Sequence, residues 1–272
     1  MTLSERGACE HGKVLSPGDR FDGHTVDAVL GHGGYATVYR AHAADRVVAL
    51  KVLDEEHRHQ AQVARLRREF DFAHRLHHLN IVTVYERGPA WLSMELVGCG
   101  SVSDVTSMAN RLAALSQIAD ALDYTHNHAI VHCDVKPANI LVREDFSAVL
   151  IDFGVAHSSS DDIGRRPSQV EASLPYSAPE LITGHAPSGA TDEYALACTA
   201  VELITGTPPF TASTPLGLVD AHLHAPPPRR SVGIPWLPAV FDSVIAKALA
   251  KSPPDRYRSC RELMSLITRA LR

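Results

Sequence analysis

Ile130-Val131-His132-Cys133-Asp134-Val135-Lys136-Pro137-Ala138-Asn139-Ile140-Leu141, followed shortly by Val149-Leu150-Ile151-Asp152-Phe153-Gly154, is the stretch on which the fold turns. Its spacing, H-x-D-x-K-x-x-N and then D-F-G, is too specific to arise by chance. On its N-terminal side the chain reads as strands. Thr25–Leu30, Thr37–Ala41 and Val47–Val52 are short runs rich in β-branched residues, separated by glycine or polar turns, which predicts an antiparallel meander. Val63, Leu66, Phe70 and Ala73 recur at helical spacing and predict one amphipathic helix. Ile81–Glu86 and Trp91–Glu95, joined by Arg87-Gly88-Pro89-Ala90, predict a hairpin, and Gly98-Cys99-Gly100-Ser101 is the natural hinge. Beyond the hinge the pattern is helical. Leu112, Leu115, Ile118, Ala119 and Leu122 form one stripe, and Tyr194–Ile204 is apolar nearly all round, as in a buried helix. Phe241–Ala250 and Arg261–Leu271 add two more helices, with proline-rich interruptions at Pro208-Pro209 and Pro226–Pro228.

This pattern predicts an α+β fold in two lobes around a cleft: a polar tail over residues 1–14, a small antiparallel lobe over 15–97 and a larger, mainly helical lobe over 98–272. At 272 residues the chain is long enough for two such lobes. With 26 basic against 31 acidic residues, its net charge of −5 gives no reason to expect a nucleic-acid partner. The five cysteines form no C-x-x-C pair, which argues against a disulfide framework or a structural zinc site and suits a reducing cytosol. Among sixteen histidines, His57/His59, His126/His128 and His222/His224 have H-x-H spacing. No cysteine or carboxylate joins any of them at ligand spacing along the chain, so solvated or packed histidine is the plainer reading. No N-terminal signal peptide is read, and no stretch nears the roughly 18 apolar residues of a membrane span. A cytoplasmic location follows, with the signal coming from inside the cell or from a regulatory protein partner.

Gly31-His32-Gly33-Gly34-Tyr35-Ala36-Thr37-Val38 lies between two predicted strands, where glycines let backbone amides approach phosphate oxygens. Alone, such a cluster is more often a plain hairpin turn. Lys51 ends the strand Val48-Ala49-Leu50-Lys51 in an apolar context, and Glu69 flanks the buried helical stripe. A glutamate on that side needs a cation, and Lys51 is the obvious one.

Together with the opening stretch, these residues make the chain resemble the protein-kinase family over about residues 20–270. Lys136-Pro137-Ala138-Asn139 is similar to the serine/threonine branch, and the wording looks most like bacterial, actinobacterial-style members. The resemblance implies transfer of the γ-phosphate of ATP, with Mg²⁺, to serine or threonine hydroxyls of protein substrates. It also implies the roles. Leu30, Gly31, Gly33, Gly34, Val38, Ala49, Met94 as gatekeeper, Glu95 to Val97 as hinge, and Ser101 would contact the nucleotide. Lys51, held by Glu69, would bind the α- and β-phosphates. Asp134 would accept the substrate proton, Lys136 would steady the γ-phosphate, and Asn139 and Asp152 would hold magnesium. By the same resemblance Ala178-Pro179-Glu180 closes the activation segment, Asp192 opens the buried helix, and Arg256 pairs with Glu180.

Several positions depart from the family's pattern. Ala36 stands for the third glycine, and Leu79 for a proline. Only Ser101 to Arg111 separates the hinge from the next long helix, so the helix that usually follows the hinge is expected to be cut down. Cys133 stands where regulated kinases carry the arginine that docks a phosphorylated loop. That loop, Val155 to Ala172, offers only Ser158, Ser159, Ser160 and Ser168, with Ser173 just beyond it. Two other classes fit the same architecture: a pseudokinase acting as a binding or scaffold module, and a small-molecule kinase. Phosphate transfer to a generic protein separates them.

Overall fold

The computed structural model describes residues 14–44, 46–98, 100–158 and 174–272. The expected tail up to residue 13, Cys99 of the hinge, and Ser159, Ser160, Ser168 and Ser173 lie outside the described residues. The chain divides into two compact units, Met1–Phe70 with Thr83–Leu96, and Asp71–Val82 with Val97–Arg272.

The smaller unit is a six-stranded antiparallel sheet. Its strands are β1 (Arg20–Phe21), β2 (His24–His32), β3 (Ala36–Ala43), β4 (Arg46–Leu53), β5 (Val84–Arg87) and β6 (Trp91–Glu95), in the order β1-β2-β3-β4-β6-β5. Side chains alternate between faces along a strand, and directly paired residues share a face. The register pairs Gly31 with Val38, Val38 with Lys51, Lys51 with Leu92, and Ala49 with Met94. These residues therefore share one face. The other face takes Val26, Tyr39, Ala41, Val48, Leu50, Val52 and Trp91, which form the unit's apolar cluster with Leu15, Phe21 and Tyr85 packed against it. One face of the sheet holds it together and the other carries the residues the sequence singles out. The β5–β6 turn needs its glycine, since a Cβ on Gly88 would fall 2.1 Å from the Trp91 indole nitrogen.

Helix α1 (Gln60–Ala73) buries Leu66, Glu69, Phe72 and Ala73, close to the predicted stripe, while Val63 and Phe70 are half-buried. The strand expected over Ile81–Glu86 begins only at Val84. Ile81 and Val82 belong to the larger unit, where Ile81 bridges Leu150 in parallel, Val82 N–H donates to Leu150 O at 3.0 Å, and Leu150 N–H donates to Asn80 O at 2.8 Å. The apolar run is thus divided between two cores, which periodicity alone does not reveal.

The larger unit is mainly helical: α2 (Met108–Asn127), α3 (Pro179–Ile182), α4 (Gly189–Thr205), α5 (Pro215–His224), α6 (Ala239–Ala248) and α7 (Cys260–Ala270). Two small ladders accompany them. β7 (Ile130–Val131) pairs with β10 (His157–Ser158), and β8 (Ile140–Val142) with β9 (Ala148–Leu150). Helix α4 is the centre of this core, with nearly every residue from Thr191 to Ile204 buried, and it ends where Gly206 adopts a left-handed φ of 87°. After the hinge stands only a 3₁₀ turn, Val102–Asp104, capped by Ser101, and α2 starts at Met108, three residues before Arg111. Helix α5 was not anticipated, although Thr214-Pro215 is a cap followed by a first-turn proline. Among the described residues no helix is long and apolar enough to cross a membrane.

Candidate active site

In the smaller unit Lys51 and Glu69 are brought together. Lys51 Nζ donates to Glu69 Oε1 at 2.9 Å and Oε2 at 2.7 Å, with both residues buried. Burial makes the pairing necessary, because either charge alone would be left desolvated. The glycine turn joins β2 to β3. Gly33 N–H donates to Ala36 O at 2.8 Å, and a Cβ on Gly33 would meet that oxygen at 3.2 Å. A Cβ on Gly31 or Gly34 would meet nothing within 4 Å, and Leu30 is half exposed. Met94 and Ala49 are buried side by side, and Glu95 N–H donates to Thr83 O at 2.8 Å.

In the larger unit, a single buried carboxylate organises the loop after β7. Asp192, in the first turn of α4, is fully buried and accepts the backbone N–H of His132 at 2.8 Å, that of Cys133 at 2.8 Å, and Nε2 of His126 at 2.7 Å. Burial pushes the Asp192 carboxyl up, but the hydrogen bonds it accepts from His126 and from the His132 backbone hold it below the ordinary range. This grip holds Cys133 at a φ of +65°, a strained region for a residue with a Cβ. The His132 ring completes the brace. Its Nδ1 accepts Asp134 N–H at 3.2 Å, so Nε2 carries the proton and donates to Ile151 O at 3.1 Å.

The polar residues of the loop then converge on Asp134. Lys136 Nζ donates to Asp134 Oδ2 at 2.8 Å. The Asn139 amide donates to the same oxygen at 2.9 Å and to Asp134 O at 2.8 Å. The β8–β9 ladder pairs Ile140 with Leu150, and Ile151 N–H donates to Asn139 O at 3.0 Å, so Asn139 and Asp152 emerge together from one end of the hairpin. Asp152 also has a positive φ of 66°, and its Oδ1 accepts Gly154 N–H at 3.2 Å. Ser101 is placed differently from the other nucleotide candidates: its hydroxyl caps the 3₁₀ turn and donates to Pro137 O at 3.3 Å. Val97 is half-buried in the same unit.

Two features escape motif reading. His126 buttresses Asp192 from 66 positions away, and only its place at the end of an apolar helix hinted at it. The second is how completely Arg256 is used. Its five N–H groups meet Glu180 Oε1 and Oε2, both at 2.8 Å, and the carbonyls of Ala190, Ala250 and Lys251 at 2.8, 2.8 and 3.3 Å.

A braced Asp–Lys–Asn loop beside a D-F-G hairpin, with a Lys–Glu pair on a glycine-turn sheet, defines a protein kinase, and the chain belongs to that family: the protein kinase domain matches residues 24–266. Among its relatives, the serine/threonine-protein kinase PknJ of Mycobacterium tuberculosis is 38% identical over 275 residues, covering 94% of this chain and 47% of PknJ. PknF of the same organism is 38% identical over 277 residues, covering 90% of this chain and 56% of PknF. PknD is 36% identical over 264 residues, covering 92% and 40%. The chain spans about half the length of the curated relatives it matches.

Proposed function

We propose that this chain transfers the γ-phosphate of ATP to serine and threonine hydroxyls of proteins. The observation that carries the reading is the Asp134 carboxylate, fixed by Lys136 and Asn139 on a loop anchored to Asp192. Asp134 orients the incoming hydroxyl and takes its proton. Lys136 and Lys51 offset the phosphate charge, and Glu69 keeps Lys51 extended. Gly31, Gly33 and Gly34 offer backbone N–H groups to phosphate, while Leu30, Val38, Ala49, Met94, Glu95, Val97 and Ser101 contact the rest of the nucleotide. Because phosphoryl transfer runs through a loose transition state, positioning and charge stabilisation supply most of the rate.

The donor set also fits magnesium. Asn139 spends its amide nitrogen on Asp134, which leaves its carbonyl oxygen as a hard ligand beside the Asp152 carboxylate. When bound, Mg²⁺ would neutralise and orient the phosphates. Asp152→Asn is therefore expected to raise the Mg²⁺ concentration needed for half-maximal activity by at least about tenfold. An unchanged Mg²⁺ dependence would remove Asp152 from the metal site.

We further propose that activity does not depend on phosphorylation of the activation loop. Cys133 occupies the expected arginine position, and its thiol is pushed well up by burial and by the carboxylates of Asp192, Asp134 and Glu180. A neutral thiol offers no cation to a phosphoserine. Phosphatase-treated enzyme, with Ser158, Ser159, Ser160, Ser168 and Ser173 confirmed unmodified by mass spectrometry, should keep its initial rate. A loss of about tenfold or more, which is about 1.4 kcal/mol on the barrier, restored by a phosphate on one of these serines, would overturn the proposal.

A further inference from the structure

Behind the Asp192 anchor, α2, α4 and α7 meet around a cavity of about 540 Å³ lined by Asp123, His126, Glu193 and Arg258 among others. Asp123 and His126 lie one turn apart on α2, and Cys260 is the first residue of α7. One ligand atom from each of Asp123, His126 and Cys260 lies within 4.8 Å of the other two. We propose that these three side chains form a transition-metal site, zinc by its donor set, distinct from the magnesium site of the kinase reaction and independent of that reading.

Three observations support it. First, ligand atoms about 2.0–2.3 Å from a tetrahedral zinc stand roughly 3.3–3.8 Å apart, so small side-chain rotations close the cluster. Second, His126 is already set up as a ligand. Ionised Asp192 can only accept, so its 2.7 Å contact with Nε2 places the proton there and leaves Nδ1 as the lone-pair atom, 4.0 Å from Asp123 Oδ1. A carboxylate behind a ligating histidine is the usual outer support of such sites. Third, Glu193, only 1% exposed, lines the same cavity and has a buried Oε2 with no hydrogen-bond partner among the described residues. A cation held beside the cavity would offset that oxygen, and water would be the fourth ligand.

Asp123 also caps α7, accepting the N–H groups of Cys260 at 2.9 Å and Arg261 at 3.1 Å. A carboxylate oxygen has a second lone pair for a metal. Cys260 lies 137 positions from Asp123, which is why spacing along the chain conceals the cluster. On binding, the Cys260 S–H proton is released to solvent as the sulfur–metal bond forms. A metal on Nδ1 would also fix the ring that supports Asp192, tying occupancy to the rigidity of the catalytic loop.

The test uses the full chain stripped of metal and titrated with Co²⁺, a spectroscopic stand-in for zinc, in excess Mg²⁺. We expect one Co²⁺ per chain, with a thiolate-to-cobalt charge-transfer band that one equivalent of Zn²⁺ abolishes. The near-isosteric Cys260→Ser should lose that band and bind Zn²⁺ about tenfold or more weakly by calorimetry, and Cys260→Ala should do the same. Absence of the band in the wild-type chain, or its persistence in either Cys260 variant, would overturn the proposal.

Discussion

Replacing Arg256 by alanine is expected to lower the unfolding free energy by about 3–5 kcal/mol, because it leaves the Glu180 carboxylate buried without its cation. Arg256 and Glu180 are both almost fully buried, and their two parallel contacts are 2.8 Å each. Thr191 Oγ1 would still donate to Glu180 Oε1 at 2.9 Å, but a neutral hydroxyl does not replace a guanidinium. Three backbone carbonyls would lose their donor as well. Lysine should not rescue the site, since one ammonium with three donors cannot serve five acceptors spread around a planar fork. Replacing Glu180 and Arg256 together by apolar residues of similar volume should cost less than Arg256→Ala alone. Urea unfolding of the three variants measures this. A cost below about 1 kcal/mol for Arg256→Ala, the range of an exposed pair, would mean that water reaches the pair.

Asp134→Asn is expected to lower the turnover rate by about 10²–10⁴-fold, the usual worth of a positioned acid–base group, while ATP affinity changes little. Asparagine keeps the shape and can still accept from Lys136 or Asn139 through its oxygen, but it cannot take a proton. The split between rate and affinity is what matters: a nucleotide-binding loss of the same size would mean that Asp134 holds the loop together. Backbone geometry argues against that outcome, since Asp192 and His132 hold the loop largely through main-chain atoms.

Much of this was legible in the sequence, for a physical reason. The run Val47–Val52 is short and rich in β-branched residues, which announces its strand, and because β4 is buried on both faces from Val48 onward, a lysine within it stands out. The pairing of Glu180 with Arg256, suggested by the resemblance, is met in the structure at 2.8 Å. Other features were hidden because they depend on which core an apolar residue joins. Ile81 and Val82 look like the start of β5, yet they pair with Leu150 in the larger unit. Helix α5 carries too weak an apolar stripe between prolines to stand out. Cys260 looks like an ordinary packed residue until folding brings it to Asp123, 137 positions away, and to His126.

The central claim is tested most directly by incubating the purified chain with Mg²⁺, γ-labelled ATP and a generic serine- and threonine-containing protein, then identifying the labelled residues. The expected result is phosphoserine or phosphothreonine on the acceptor, dependent on Mg²⁺ and reduced about 10²–10⁴-fold in Asp134→Asn. Tight ATP binding with no transfer to any protein, or transfer only to a small-molecule hydroxyl, would contradict it.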